Sequence, residues 1–129
     1  MMIITDLPPQ ITLECHGERS GGLRGSAPFN LTIYVDVPRR RFVTAANREF
    51  GWPPHGNLKS VTTHKMVLWN IFESSHPFLQ SFAEFDLKTQ RYAGRIKYNG
   101  RALIDEKYSG TCVVRHRVPG QIRKTLQNA

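Results

Sequence analysis

Cysteine and long apolar runs are both scarce in this chain. There are two cysteines, Cys15 and Cys112, near opposite ends. The longest uncharged apolar run, "MVLWNIF", is far short of the ~20 residues that a membrane-crossing helix needs. No G-x-S-x-G, H-E-x-x-H or glycine-rich phosphate loop occurs, so the common hydrolase, metalloprotease and nucleotide-binding signatures are excluded. His16, His55, His64, His76 and His116 are scattered, and a structural zinc would need about four ligands at characteristic spacing. No C-x-x-C is present for redox work. The acidic pair Asp105-Glu106 would point to opposite faces of a strand and could not share a substrate. No catalytic residue, metal or cofactor is therefore expected.

Acidic residues are also few, 10 Asp and Glu against 18 Lys and Arg, for a formal charge of +8. Such a balance favours nucleic acid, acidic lipid or acidic proteins as partners without choosing among them. The basic residues gather at Arg39-Arg40-Arg41, along Arg95 and Lys97 with Arg91, Lys107 and Arg115, and in the last residues of the chain. The opening "MMIITDLPPQ" lacks a basic region, carries Asp6 and breaks at Pro8-Pro9, unlike a secretory leader. As it stands the chain reads as cytoplasmic, or as exported if a leader has been removed.

What is abundant is period-two alternation broken by turn residues, the mark of half-buried strands. Ile11, Leu13 and Cys15 share one face. In "FNLTIYVDV", Phe29, Leu31, Ile33 and Val35 oppose Asn30, Thr32, Tyr34 and Asp36. "PRRR" turns into "RFVTAA", whereas "NREFGWPPHGN" is expected to hold no regular structure, because Pro53-Pro54 cannot donate to a ladder. "LKSVTT" and "KMVLWNIF" read as a hairpin turning near His64. The second run is apolar on both faces, as if covered on both sides or by a loop. "LQSFAEFDL", "RYAGRIKY" and "LIDEKYSGTCVVR" complete the set. These make about eight short strands at the spacing of all-β sandwiches and barrels. No amphipathic helix lies between them. The fold class is all-β, an antiparallel barrel or sandwich in one domain, residues 1–129. Its core is expected over about 10–115, and 116–129 forms a basic tail that is flexible or a short helix.

In the last hairpin Tyr92, Gly94, Ile96 and Tyr98 share a face, as do Ile104, Glu106, Tyr108, Gly110, Cys112 and Val114. With "GRA" as the turn, Tyr108 lies across from Gly94 and Gly110 across from Tyr92, aromatic against glycine. If first and last strands are neighbours, Cys15 and Cys112 face one interior, as two buried thiols or as a disulfide tying the ends together. Glu106 is read as a rim residue, and Trp52 as partly exposed on a long loop, packing onto the barrel more readily than capping a cavity or anchoring a protein partner.

Leu13, Cys15 and Gly17 (L-x-C-x-G), Asp86-Leu87-Lys88-Thr89 (the start of a D-x-x-T-G turn, with Gln90 in the glycine's place) and Tyr108 with Cys112 (Y-x-x-x-C) form a pattern over residues 11–115. It resembles a diffuse family of small uncharacterised bacterial β-proteins, commonest in alphaproteobacteria and often exported. The resemblance implies an all-β fold and carries no catalytic residues.

The expected role is a non-enzymatic binding module for a small apolar ligand or a protein partner, with Tyr92, Tyr98, Tyr108, Glu106 and Trp52 as candidate ligand contacts. A filled interior is the simpler alternative. The other reading is a nucleic-acid-associated protein contacting phosphates through Arg39, Arg40, Arg41, Arg95 and Lys97. Against it, Tyr92 and Tyr98 point away from Arg95 and Lys97, whereas single-strand binders put aromatics and cations on one face.

Overall fold

The computed structural model describes residues 10–21, 25–45, 52–74, 78–100 and 103–128. Readings at Asp6, Pro8-Pro9, His76 and the Arg101-Ala102 part of the last turn lie outside them. Among the described residues nine antiparallel strands form one sheet curled into a half-barrel: β1 (Gln10–Ser20), β2 (Ala27–Asp36), β3 (Arg41–Thr44), β4 (His55–Asn57), β5 (Ser60–Val61), β6 (Lys65–Glu73), β7 (Phe78–Asp86), β8 (Arg91–Asn99) and β9 (Leu103–Arg115). Their order is β4-β3-β2-β1-β9-β8-β7-β6-β5. Every strand lies beside its neighbours in the chain except at the two edges, and the last strand returns to pair with the first. The edges are held by consecutive residues. Leu58 N donates to Arg40 O on the β3 side, and Lys59 N to Val67 O of β6.

The all-β class is thus as the alternation predicts, with nine strands rather than about eight. The additional one is β4, in the segment expected to be irregular. Pro53 and Pro54 stay outside the ladder, but His55–Asn57 pair with Val43–Arg41 immediately after them. A proline removes only its own donor, and here the carbonyl of Pro54 still accepts from Thr44 N at 2.8 Å.

The concave face carries the core: Ile11, Leu13 and Cys15 of β1, Leu31, Ile33 and Val35 of β2, Phe42 of β3, Ala83 and Phe85 of β7, Tyr92 and Ile96 of β8, and Tyr108 and Cys112 of β9. The two-sided apolar character of β6 has a local cause. Its register against β7 slips between Val67 and Trp69. This β-bulge sends both Leu68 and Trp69 into the core and turns Phe72 outward, 61% exposed. Trp69 Nε1 then donates to the buried Ser81 hydroxyl at 3.0 Å, so its polar edge is satisfied where its ring is dry.

The turns after β2 and β7 are built alike. Asp86 Oδ1 accepts from Lys88 N and Thr89 N at 2.9 and 3.0 Å, and Asp36 Oδ1 accepts from Arg39 N at 3.1 Å. In each the fifth residue is left-handed, Gln90 at φ 61° and Arg40 at φ 55°, and an arginine opens the next strand opposite the aspartate.

The tail is a helix, α1 (Gly120–Asn128), packed outside the half-barrel against β2 and β3. Val118 and Leu126 are buried there. The Thr12 hydroxyl donates to Arg117 O at 2.6 Å, and Arg41 Nη1 to Leu126 O at 3.3 Å.

Candidate functional site

The β1–β9 pairing organises the interior. Cys15 stands directly opposite Cys112 and Gly17 opposite Gly110. The two cysteines are joined as a disulfide, so of the two arrangements that the sequence permits, the bonded one is present. The glycines let the strands approach. A Cβ on Gly17 would collide with the Ser109 carbonyl and Gly110 Cα, and one on Gly110 with the His16 carbonyl. Beyond them Arg19 faces Tyr108.

The β8–β9 register is the expected one, Tyr92 opposite Gly110 and Gly94 opposite Tyr108. Gly94 is nevertheless covered from its own strand. The Tyr92 ring leans along β8, placing its hydroxyl 3.0 Å from where a Gly94 Cβ would sit.

Three of the proposed ligand contacts meet in one aromatic cluster. Phe29 of β2 stands edge-on to Tyr108, with centroids 5.2 Å apart, and lies 5.7 Å from Tyr92. Trp52 closes it, 5.2 Å from Tyr108 and 6.0 Å from Phe29. Trp52 is only 4% exposed: it packs onto the sheet as expected, but more deeply than a partly exposed loop residue would. Residues 53–54 are held to β3 because the Thr44 hydroxyl donates to the Pro53 carbonyl at 2.7 Å, with the Pro54 carbonyl, which accepts from Thr44 N, at 3.2 Å.

Glu106 is also corrected. It is 1% exposed, not a rim residue. Its carboxylate accepts from the Tyr108 hydroxyl at 3.3 Å and lies 3.8 Å from Arg19 Nε. A buried charge needs such partners, because desolvating it alone would be prohibitive. Only half of the signal was in the sequence: the alternation of Ile11, Leu13, Cys15 and Gly17 makes Arg19 an inward cation on β1, but its place beside Glu106 follows from the β1–β9 register.

The Tyr92 hydroxyl is fully buried and has no hydrogen-bond partner among the described residues. Burial, with the neighbouring Tyr108 adding to it, pushes its pKa well above the usual tyrosine value, so the phenol stays neutral and is no proton acceptor. No group of three metal-ligating side chains occurs among the described residues.

Tyr98, the fourth aromatic candidate, sits elsewhere. It lines an open cleft of about 410 Å³ with Phe78, Lys97, Leu103, Ile104 and Asp105, at the ends of the β6–β7 and β8–β9 hairpins. Asn99 pairs with Phe78 on one side and Leu103 on the other. Leu103 is 63% exposed, and Phe72 stands edge-on to Phe78 with centroids 5.4 Å apart. Sequence reasoning missed Phe72, Phe78 and Leu103, since the bulge that turns Phe72 outward leaves no mark in the alternation. A second cleft of about 450 Å³ lies on the convex face, between Thr12, Glu14, Tyr34 and Arg115 of the sheet and the Arg117–Pro119 strap.

The cations proposed for phosphate contact are dispersed and mostly engaged. Arg39 pairs with Asp36 at 3.0 Å, Arg41 binds the end of α1, and Arg95 grips both oxygens of Asp105 at 3.0 and 3.3 Å. Arg115 pairs with Glu14 at 2.8 Å. Arg40 and Lys97 form no ion pair among the described residues, and they lie at opposite ends of the sheet.

Comparison with known protein families, with curated proteins and with solved structures finds no match to this chain.

Proposed function

We propose that the protein is a non-enzymatic binding module and that a small apolar molecule occupies the cleft beside Tyr98. The observation that carries this reading is the cleft itself, about 410 Å³ and walled by Phe78, Tyr98, Leu103 and Ile104. That is within the size range of small-molecule pockets, with Lys97 and Asp105 as the few polar groups that orient a guest. The half-barrel interior is the poorer host, because Phe29, Trp52, Tyr92 and Tyr108 fill the region around Glu106. The disulfide supports an oxidising compartment, and so the exported alternative. Of the bacterial β-protein resemblance, the part with a structural counterpart is the cysteine placement, Cys15 in the first strand joined to Cys112 in the last.

The test is fluorescence titration with the apolar probe N-phenyl-1-naphthylamine. Binding is expected to change little with added salt and to weaken about tenfold in Tyr98→Ala or Leu103→Ala, the cost of stripping one apolar wall from a pocket. Binding indifferent to both substitutions would place the site elsewhere. If the probe fails to bind while an oligonucleotide binds with steep salt dependence, the phosphate-contact alternative replaces this reading.

A further inference from the structure

The Tyr98 cleft does not end at its walls. Its apolar surface continues onto Phe72 and Leu103, 61% and 63% exposed, with Phe78 packed edge-on to Phe72. Two hairpin ends therefore present Phe72 and Leu103 exposed, with Phe78 half-buried between them, along one rim of the sheet. Scattered single exposed apolar residues need no explanation, but a contiguous group rimmed by polar residues marks an interaction surface.

The charge around it selects the partner. Beside that surface, the convex face of the β8–β9 hairpin carries Arg95, Lys97 and Lys107 against Asp105, with Glu73 exposed next to Phe72, while Arg91 and Arg115 stand at the hairpin's other end. Arg95 neutralises Asp105, and Glu14 of β1 in turn engages Arg115. Lys97 borders the cleft directly. The whole chain is also strongly cationic, at +8. Apolar side chains at a rim, backed by positive charge, combine the two attractions that hold peripheral proteins on anionic bilayers. The side chains enter the headgroup–acyl boundary while the cations meet the negative surface potential.

We infer that the ends of the β6–β7 and β8–β9 hairpins dock onto an anionic lipid surface, with Phe72, Phe78 and Leu103 entering the interface and Lys97 meeting the headgroups. This rests on the reading of the Tyr98 cleft as an apolar binding site and names the surface to which that site is presented.

The test is co-sedimentation of the full, disulfide-bonded chain with vesicles of phosphatidylcholine alone and of phosphatidylcholine mixed with phosphatidylglycerol. The expected result is binding to the mixed vesicles that falls with added salt. Phe72→Ser combined with Leu103→Ser, both at exposed positions, weakens it about tenfold or more, and Lys97→Glu weakens it further. Equal binding to neutral vesicles, no sedimentation with either, or sedimentation unchanged in the double variant would overturn the inference. Naphthylamine binding without vesicle binding overturns the lipid surface alone, whereas loss of both removes the cleft reading as well.

Discussion

Cys15 and Cys112 face each other across the β1–β9 pairing, 97 residues apart in the chain and covalently joined. Among the described residues the bond spans the one strand pairing that brings distant parts of the chain together, since the other pairings join strands close in sequence. It therefore constrains the unfolded chain over about three-quarters of its length, 97 of 129 residues. Replacing both cysteines by alanine is expected to cost about 2–5 kcal/mol in urea denaturation, in keeping with closure of a long loop. Alkylation of the unreduced, denatured protein should add no mass. Two alkyl groups would sink the assignment.

The glycine pair beside the disulfide sets how closely those strands run. Gly17→Ala and Gly110→Ala each thrust a methyl group into the partner strand's backbone, which cannot move aside as a side-chain tip can. Each is expected to destabilise by about 3 kcal/mol. Gly120→Ala is the control, because nothing lies within 4 Å of its added Cβ. Equal midpoints for all three would mean that the β1–β9 strands tolerate separation.

Gln90 and Arg40 hold left-handed backbone without being glycine. An ordinary residue costs about 1–2 kcal/mol there, which glycine avoids at some entropic expense in the unfolded chain. Gln90→Gly and Arg40→Gly are therefore expected to raise stability, each by about 0.5–1 kcal/mol. Differential scanning calorimetry checks the sign. A lowered melting temperature for both would show that side-chain contacts outweigh the backbone gain.

Two aspartates give the fold an acid limit. Burial opposes ionisation of Asp36, but hydrogen bonds from Gln10 Nε2, Arg39 N and Arg39 Nη1, together with the Arg39 charge, outweigh it and bring its pKa below the ordinary 3.8. At Asp86 the Thr89 and Lys88 amides act the same way. A depressed folded pKa adds stability that is present above the unfolded value and lost as pH falls through the folded one. The urea midpoint should hold from neutrality to about pH 4.5 and then decline, and Asp36→Asn should flatten that decline. A midpoint that rises on acidification would reverse the assignment.

Much of the fold was legible because alternation reports faces directly. The β8–β9 register followed from placing Tyr108 against Gly94, and the cysteines met because both stood on inward faces of the terminal strands. The failures share a cause. Leu68 is an inserted residue in β6, and a bulge changes which later side chains face out without changing composition. Trp52 is buried more deeply than expected beside residues 53–54, which Thr44 holds to β3, an interaction between residues that no local pattern connects. Glu106 needed Arg19 on a neighbouring strand, and that pairing becomes visible only once β1 and β9 are aligned. The turn used twice, at Asp36 and Asp86, was hidden because its defining feature is a backbone angle carried by Arg40 in one copy and Gln90 in the other.

Since β9 pairs back onto β1, the two ends of the strand succession meet inside the sheet rather than at its edges, and a turn between paired strands can be opened without removing a ladder. Thr12 and Arg115 are paired, so the start of β1 and the end of β9 already lie side by side. A circular permutant opened in the 87–90 turn, with its original ends joined by a linker, would keep all eight strand pairings. Its new termini would lie beside β7 and β8, far along the chain from the seam that the disulfide holds.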